Sequence, residues 1–381
     1  MRLMKTRLAA IAAAIALVSC GGGDGGIEVS STVSFGDSLS DVGTEKVGTI
    51  AALGGGKWTV NSATAHNWTE IVAASVHTTS CAAQTGLLPN IPGLVGAPVT
   101  NHPECTNYAQ GSSRVSNPYG PNAAVFQGAP FNAVNLGLTA LPVSAQMSLH
   151  LSRVGSYSGR ELVTVMAGGN DAFLNLNAVA SAAGGGATAV GAAVAAGWPA
   201  ATQNAVAAGG AAAVNAAATQ AVTSMGATGA ELAGLVKSQV LAKGARYVMV
   251  VNLPDIAQSP SGMAADASTR SLITTMVSAF NQQLQAGLAG TPVLYIDAFT
   301  QGHNQYANPS AYGITNITTP ACSTTSPANP LAGSSITCTA ASTVAADVSG
   351  YYFADTVHPT PLGYTLLAQY VMAQMHLAGW I

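Results

Sequence analysis

Three short stretches hold the residue types that nucleophilic catalysis needs. In Phe35-Gly36-Asp37-Ser38-Leu39-Ser40-Asp41 a serine follows an apolar run and a glycine. At the start of a helix, such a serine sits exposed at a sheet edge. Backbone N–H groups and the positive end of the helix dipole then face a developing oxyanion. The same residues also suit a plain helix N-cap. In Gly168-Gly169-Asn170-Asp171 two glycines permit close backbone approach, and the Asn170 amide is a neutral donor for negative charge. The alternative is a tight turn whose asparagine caps the next helix. In Asp355-Thr356-Val357-His358-Pro359-Thr360 a carboxylate three residues before an imidazole reaches its Nδ1 hydrogen. Nε2 is then left to accept a proton from a nucleophile. A helix-entry turn, with Pro359 and Pro361 before a last helix, is the structural alternative.

These stretches fall at the ends of the elements that must position them. Val29 to Phe35, Glu161 to Ala167, Arg246 to Asn252 and Pro292 to Ile296 are short apolar runs without alternation, and Cys105 to Ala109 is a weaker one. Such runs suit strands buried on both faces, as in a parallel sheet. Between them, Leu272, Met276, Phe280, Leu284 and Leu288 repeat every four residues and form one apolar helical stripe. Leu232, Leu235, Val236, Val240 and Leu241 do the same before Gly244, placed as a C-cap glycine, and Pro361 opens a last helix. Alternating strands and helices predict an α/β domain with a mainly parallel five-stranded sheet, whose active site lies at the carboxyl ends of the strands. Gly-x-Ser-x-Gly, the elbow of the α/β-hydrolases, occurs nowhere.

No composition break marks a second domain, so residues 29–381 read as one. Segments 53–66, 78–104 and 303–350 are expected as irregular insertions. An Ala/Gly-rich segment around 176–228 reads as a further insertion, its helix content left open because glycine opposes the helix that alanine favours. The stretch between Asp171 and Glu231 lacks charge, but asparagines, Trp198-Pro199 and glycines interrupt it before it could span a membrane.

Composition narrows the class further. The chain has 381 residues, 7% of them charged, with a net charge of −3, which excludes a basic nucleic-acid face. Arg2, Lys5 and Arg7 precede an apolar run from Leu8 to Val18, too short to cross a bilayer and patterned as an export signal. It ends in Leu17-Val18-Ser19-Cys20 and a glycine run. Residues 1–19 are therefore expected to be a signal peptide and 20–28 a flexible tether. Export implies an oxidising compartment, and Cys81 with Cys105 and Cys322 with Cys338 form two sequence-local pairs in loop-like sequence. No cysteine–histidine cluster has metal spacing, so no metal or cofactor is expected.

Taken together and in this order, the three stretches resemble the GDSL, or SGNH, hydrolase family from Val29 to the C-terminus. The resemblance implies a flavodoxin-like three-layer sandwich. It implies Ser38 as nucleophile, His358 as general base and acid, Asp355 as its orienting acid, and Asn170 as an oxyanion donor beside the Ser38 N–H. Asn107-Tyr108-Ala109-Gln110-Gly111-Ser112-Ser113-Arg114 is similar to a further family block that gives the oxyanion a glycine N–H. Here the family's glycine position holds Ser112, with Gly111 just before it, so either N–H could serve. The Cys20 ending resembles a bacterial lipobox, which implies a lipid anchor at the membrane. Phe-Gly-Asp-Ser-Leu-Ser-Asp and Val-His-Pro-Thr resemble the lipase, phospholipase and acyltransferase branch, with carbohydrate acetylesterase as the alternative. An ester or lipid substrate is implied. The other histidines (His66, His77, His102, His150, His303, His376) have no motif around them and are expected at the surface or in loops.

Overall fold

The computed structural model describes residues 26–87, 94–121 and 141–381. Cys20, the leader and most of the tether lie outside these.

Four of the apolar runs form one all-parallel sheet. Its strands are β1 (Ser31–Gly36), β4 (Glu161–Met166), β5 (Tyr247–Val251) and β6 (Leu294–Ile296), in the spatial order β1-β4-β5-β6. A separate antiparallel pair, β2 (Gln84–Leu87) and β3 (Ala97–Asn101), lies between β1 and β4 in the chain. The register brings the carboxyl ends together: Gly36 faces Met166, Val165 faces Val250, and Val251 faces Ile296. The fifth run, Cys105 to Ala109, departs from expectation. It makes isolated parallel bridges, Asn107 to Ser34 on the outer side of β1 and Asn107 to Ala82, instead of a strand. Asn107 spends its side chain on loops, with Nδ2 donating to Ser40 O, Thr69 Oγ1 and Ser80 Oγ. Cys105, meanwhile, is tied back to Cys81.

The absence of alternation in the strands has a direct cause, because both sheet faces are covered. Val33, Phe35, Val163, Val165, Val248 and Val250 enter one core. Their neighbours Leu162, Met166, Met249 and Val251 enter the other, against Trp68, Val72, Tyr364 and Val371. The second face is covered by α2 (Trp68–Ser75) and the terminal helix α11 (Pro361–Leu377), α1 being the short Gly48–Ala52 turn of helix. The first face is covered by α3 (Val143–Val154), α4 (Gly169–Ala182), α5 (Gly186–Ala196), α6 (Ala200–Ala207), α7 (Gly210–Leu235) and α9 (Ala267–Leu288), α8 being Pro260–Met263. This is the three-layer α/β arrangement expected.

The Ala/Gly-rich segment is helical through most of its length. Ala213, Ala217, Ala221, Met225, Gly229 and Leu232 are buried at near-fourfold spacing along α7. They share one core with the sheet, so packing on the small-residue stripe outweighs the low helix propensity of glycine. No helix among the described residues is long and apolar enough to cross a membrane. Past α7, a π turn (Val236–Val240) and a short 3-10 turn end at Gly244, which takes φ 103° as its C-cap position requires.

Candidate active site

The serine, imidazole and carboxylate meet at the carboxyl edge of the sheet, although Ser38 and His358 are 320 positions apart. His358 Nε2 lies 2.9 Å from Ser38 Oγ. Its Nδ1 lies 2.9 and 2.8 Å from the two oxygens of Asp355. Asp355 also accepts from the backbone N–H of His358 (2.8 Å), Val357 (3.0 Å) and Ser335 (3.1 Å). Burial opposes its charge, yet the imidazole and these donors together hold the carboxyl well below the usual carboxylate range. Asp355 is therefore an acceptor only, which fixes the Nδ1–H tautomer and leaves Nε2 facing the serine.

No helix begins at Ser38, contrary to expectation. Residues Ser38–Ser40 form a turn closed by Ser40 N to Asp37 O, and the next helix starts at Gly48. Polar side chains do the work a helix would have done. Gln146 on α3, fully buried, accepts from Gly36 N–H and donates to Gly36 O, pinning the end of β1. Asn67, the N-cap of α2, donates to Leu39 O, and Trp68 Nε1 donates to Ser40 Oγ. Gly36 is required here, because a Cβ would stand 2.4 Å from Met166 O.

The two oxyanion candidates after Gln110 are treated differently by the fold. Gly111 N–H donates to Asp41 Oδ2 at 2.9 Å, and its Cα packs so closely that a Cβ would lie 2.7 Å from the Trp58 ring. Trp58 in turn lies against the His358 ring, centroids 4.8 Å apart. Ser112 lines the cavity at Ser38 and takes φ 68°, a left-handed conformation in which glycine is more at ease. Asn170 also lines the cavity, in the first turn of α4, with Nδ2 donating to Ser113 O at 2.9 Å. It does not cap the helix. That position belongs to Gly168, whose φ of 118° and whose packing on Phe280 exclude a side chain.

Asp171, beside Asn170, forms a buried ion pair with Arg114 (2.7 Å) and accepts from Val115 N–H. Arg114 further donates to Ala195 O and Ala196 O at the end of α5, so one guanidinium joins the Ser112 block, α4 and the Ala/Gly-rich helices. Under the serine lie three buried acids. Burial pushes the Asp37 carboxyl up to about 7. It also raises Asp41, and it raises Glu45 well above the usual range with Asp41 adding to the effect.

The site opens into a cavity of about 280 Å³. Leu39, Trp58, Phe173, Leu253 and Val357 make much of its wall apolar. Both expected disulfides, Cys81–Cys105 and Cys322–Cys338, are formed. Of the remaining histidines, His150 is neither exposed nor in a loop. It is buried on α3 beside Tyr108 and Tyr157, and burial lowers its pKa to about 4. Sequence reasoning missed Gln146, Asn67 and Ser335, which act through backbone contacts; only Asn67 carries a local signal, the capping box it forms with Glu70.

A parallel α/β sheet carrying a hydrogen-bonded serine, histidine and aspartate at its carboxyl edge defines a class, the hydrolytic enzymes that work through a nucleophile. Within that class the family is shown directly. The family model described as GDSL-like Lipase/Acylhydrolase matches residues 33–371, and the chain belongs to that family of ester hydrolases. No curated protein matches the sequence. Among solved structures, the chain is similar to the lipase Lip_vut3 from a goat rumen metagenome, at 10% identity and TM-score 0.41, covering 90% of this chain and 96% of that one. It is also similar to the extracellular lipase from Streptomyces rimosus, at 13% identity and TM-score 0.42, covering 90% and 99%.

Proposed function

We propose that this protein is a serine esterase of the lipase type, cleaving carboxylic esters through an acyl-enzyme. The observation that carries the reading is the 2.9 Å contact between His358 Nε2 and Ser38 Oγ at the mouth of an apolar cavity. Ser38 Oγ attacks the ester carbonyl carbon while His358 Nε2 takes its proton. Asp355 stabilises the imidazolium so formed. The tetrahedral oxyanion is held by the Ser38 and Ser112 N–H groups and by the second hydrogen of Asn170 Nδ2, the first being given to Ser113 O. Gly111 is left out of this set because its N–H serves Asp41 and because Ser112 lines the cavity at Ser38. Collapse expels the alcohol with the proton returned by His358. Water, activated by the same imidazole, then releases the acid and regenerates Ser38. A cavity of about 280 Å³ with a largely apolar wall is larger than an acetyl group requires and fits an aliphatic chain on one half of the ester.

The same proposal takes the protein to be exported and anchored through lipid on Cys20. The leader sequence and two disulfides support it. Hydrolysis of p-nitrophenyl esters from acetate to palmitate by wild type and Ser38→Ala tests the chemistry. Turnover should peak at medium or long chains and vanish in a folded Ser38→Ala protein. Undiminished turnover in that variant would remove the triad. For the anchor, Cys20→Ser should move the protein out of the membrane fraction or leave its leader uncleaved. Wild-type protein found soluble with an unmodified N-terminus would refute the lipid.

A further inference from the structure

The cavity ends on a wall chemically unlike its middle. It begins at Ser38 after β1, passes Phe173 and Leu253 beyond the ends of β4 and β5, and reaches the helix α10 (Ala298–Ala307) that follows β6. That path crosses three strand spacings, about 14 Å. One face of α10 closes it, with Gln301 and Gln305 a helical turn apart. Gln305 is only 3% exposed, lines the cavity, and its side-chain amide makes no hydrogen bond with any described residue. Buried polar side chains in folded proteins nearly always have partners, and one left without a partner against a cavity is placed for a ligand.

We infer that Gln305 reads an uncharged hydrogen-bonding group near the tip of the substrate chain held in this cavity, an inference that rests on the esterase reading. A carboxamide offers both a donor and an acceptor but no charge, which matches a hydroxyl, carbonyl or amide. The nearest carboxylate on this wall is already engaged. Asp255 accepts from Ala257 N–H and Thr274 Oγ1, and pairs with His303. The substrate is therefore an ester whose apolar stem lies against Phe173 and Leu253 and whose polar tip meets Gln305. Plain alkyl chains of the same length leave the amide dry and unpaired, and are disfavoured.

Length-matched p-nitrophenyl esters from hexanoate to dodecanoate, with and without a terminal hydroxyl, test this. kcat/KM for the hydroxylated ester is divided by that for the plain ester within each protein, so the amount of folded enzyme cancels. The wild-type ratio should exceed tenfold at the chain length that reaches α10, and Gln305→Met should lower it by at least tenfold, as losing a buried hydrogen bond to substrate does. Tm should hold or rise in Gln305→Met, because no internal bond is lost. A matched set with the hydroxyl on the alcohol side shows which half of the ester fills the cavity, and a Gln305-dependent preference on either side supports the assignment. A wild-type ratio near one at every length on both sides, or a preference that survives Gln305→Met, overturns it while the esterase reading stands. No Ser38-dependent hydrolysis of any ester, plain or hydroxylated, overturns that reading and this inference with it.

Discussion

Ser38, His358 and Asp355 owe their arrangement to neighbours of no catalytic type. Asn170 is the residue whose role separates chemistry from architecture, since it lines the cavity and also donates to Ser113 O. If its second amide hydrogen meets the oxyanion, Asn170→Ala removes a contact made chiefly in the transition state. kcat should then fall by about 10²–10³-fold with KM little changed. A destabilised variant with full activity per folded molecule would leave Asn170 a strut. Asp37 makes a prediction about pH. Burial raises its carboxyl to about 7, so between its unfolded value near 4 and that point the folded state holds the extra proton. Wild-type stability therefore loses ground as pH rises through this window, and Asp37→Asn should escape the loss. Melting curves should show Asp37→Asn gaining on wild type from pH 5 to pH 8. An equal offset at both would contradict the burial assignment. The three reactive stretches were legible in the sequence because each combines its reacting group with the glycine or proline its turn needs. Gln146 was not, because a glutamine that serves distant backbone has no local pattern around it; Asn67-Trp68-Thr69-Glu70 carries a capping-box pattern for α2, but nothing local signals the Nδ2 bond to Leu39 O.

At the scale of elements, the loop closed by Cys322–Cys338 holds Asp355. Ser335, inside it, gives its N–H to Asp355 Oδ2, and Cys322 N–H donates to Ala354 O next to that aspartate. Asn61 holds the loop from the other side, with Nδ2 donating to Ser335 O and Cys338 O. Replacing both cysteines by serine should cost roughly 2–4 kcal/mol of stability. It should also lower kcat for the molecules that remain folded. The matching change at Cys81 and Cys105 should cost stability with kcat kept, and equal kcat losses in the two variants would detach the Cys322 loop from catalysis. The pairing itself was legible from two local cysteine pairs in loop sequence. The fifth strand was misread because Asn107 and Cys105 form ties that periodicity does not express.

Across the whole molecule, the segment least legible in the sequence proved part of the core. α7 approaches α9 so closely that a Cβ on Gly229 would stand 2.2 Å from Phe280 O, a contact only glycine allows. Gly229→Ala should therefore destabilise by about 1–3 kcal/mol despite the ~1 kcal/mol that alanine gains in a helix interior. A denaturant midpoint above the wild-type value would show that the two helices can part freely. Composition shows 176–228 only as low-complexity sequence, which hides which small residues face a neighbour. Arg114, bonded to Asp171 and to the end of α5, ties those helices to the site they flank.

The central claim is that Ser38 is a nucleophile activated by His358. A fluorophosphonate phosphonylates an activated serine far faster than an ordinary one, so labelling followed by intact mass and peptide mapping tests it most directly. One label per chain is expected, on Ser38, lost in Ser38→Ala and strongly reduced in His358→Ala while both variants stay folded. A label on another residue, or undiminished labelling of folded Ser38→Ala, would contradict it.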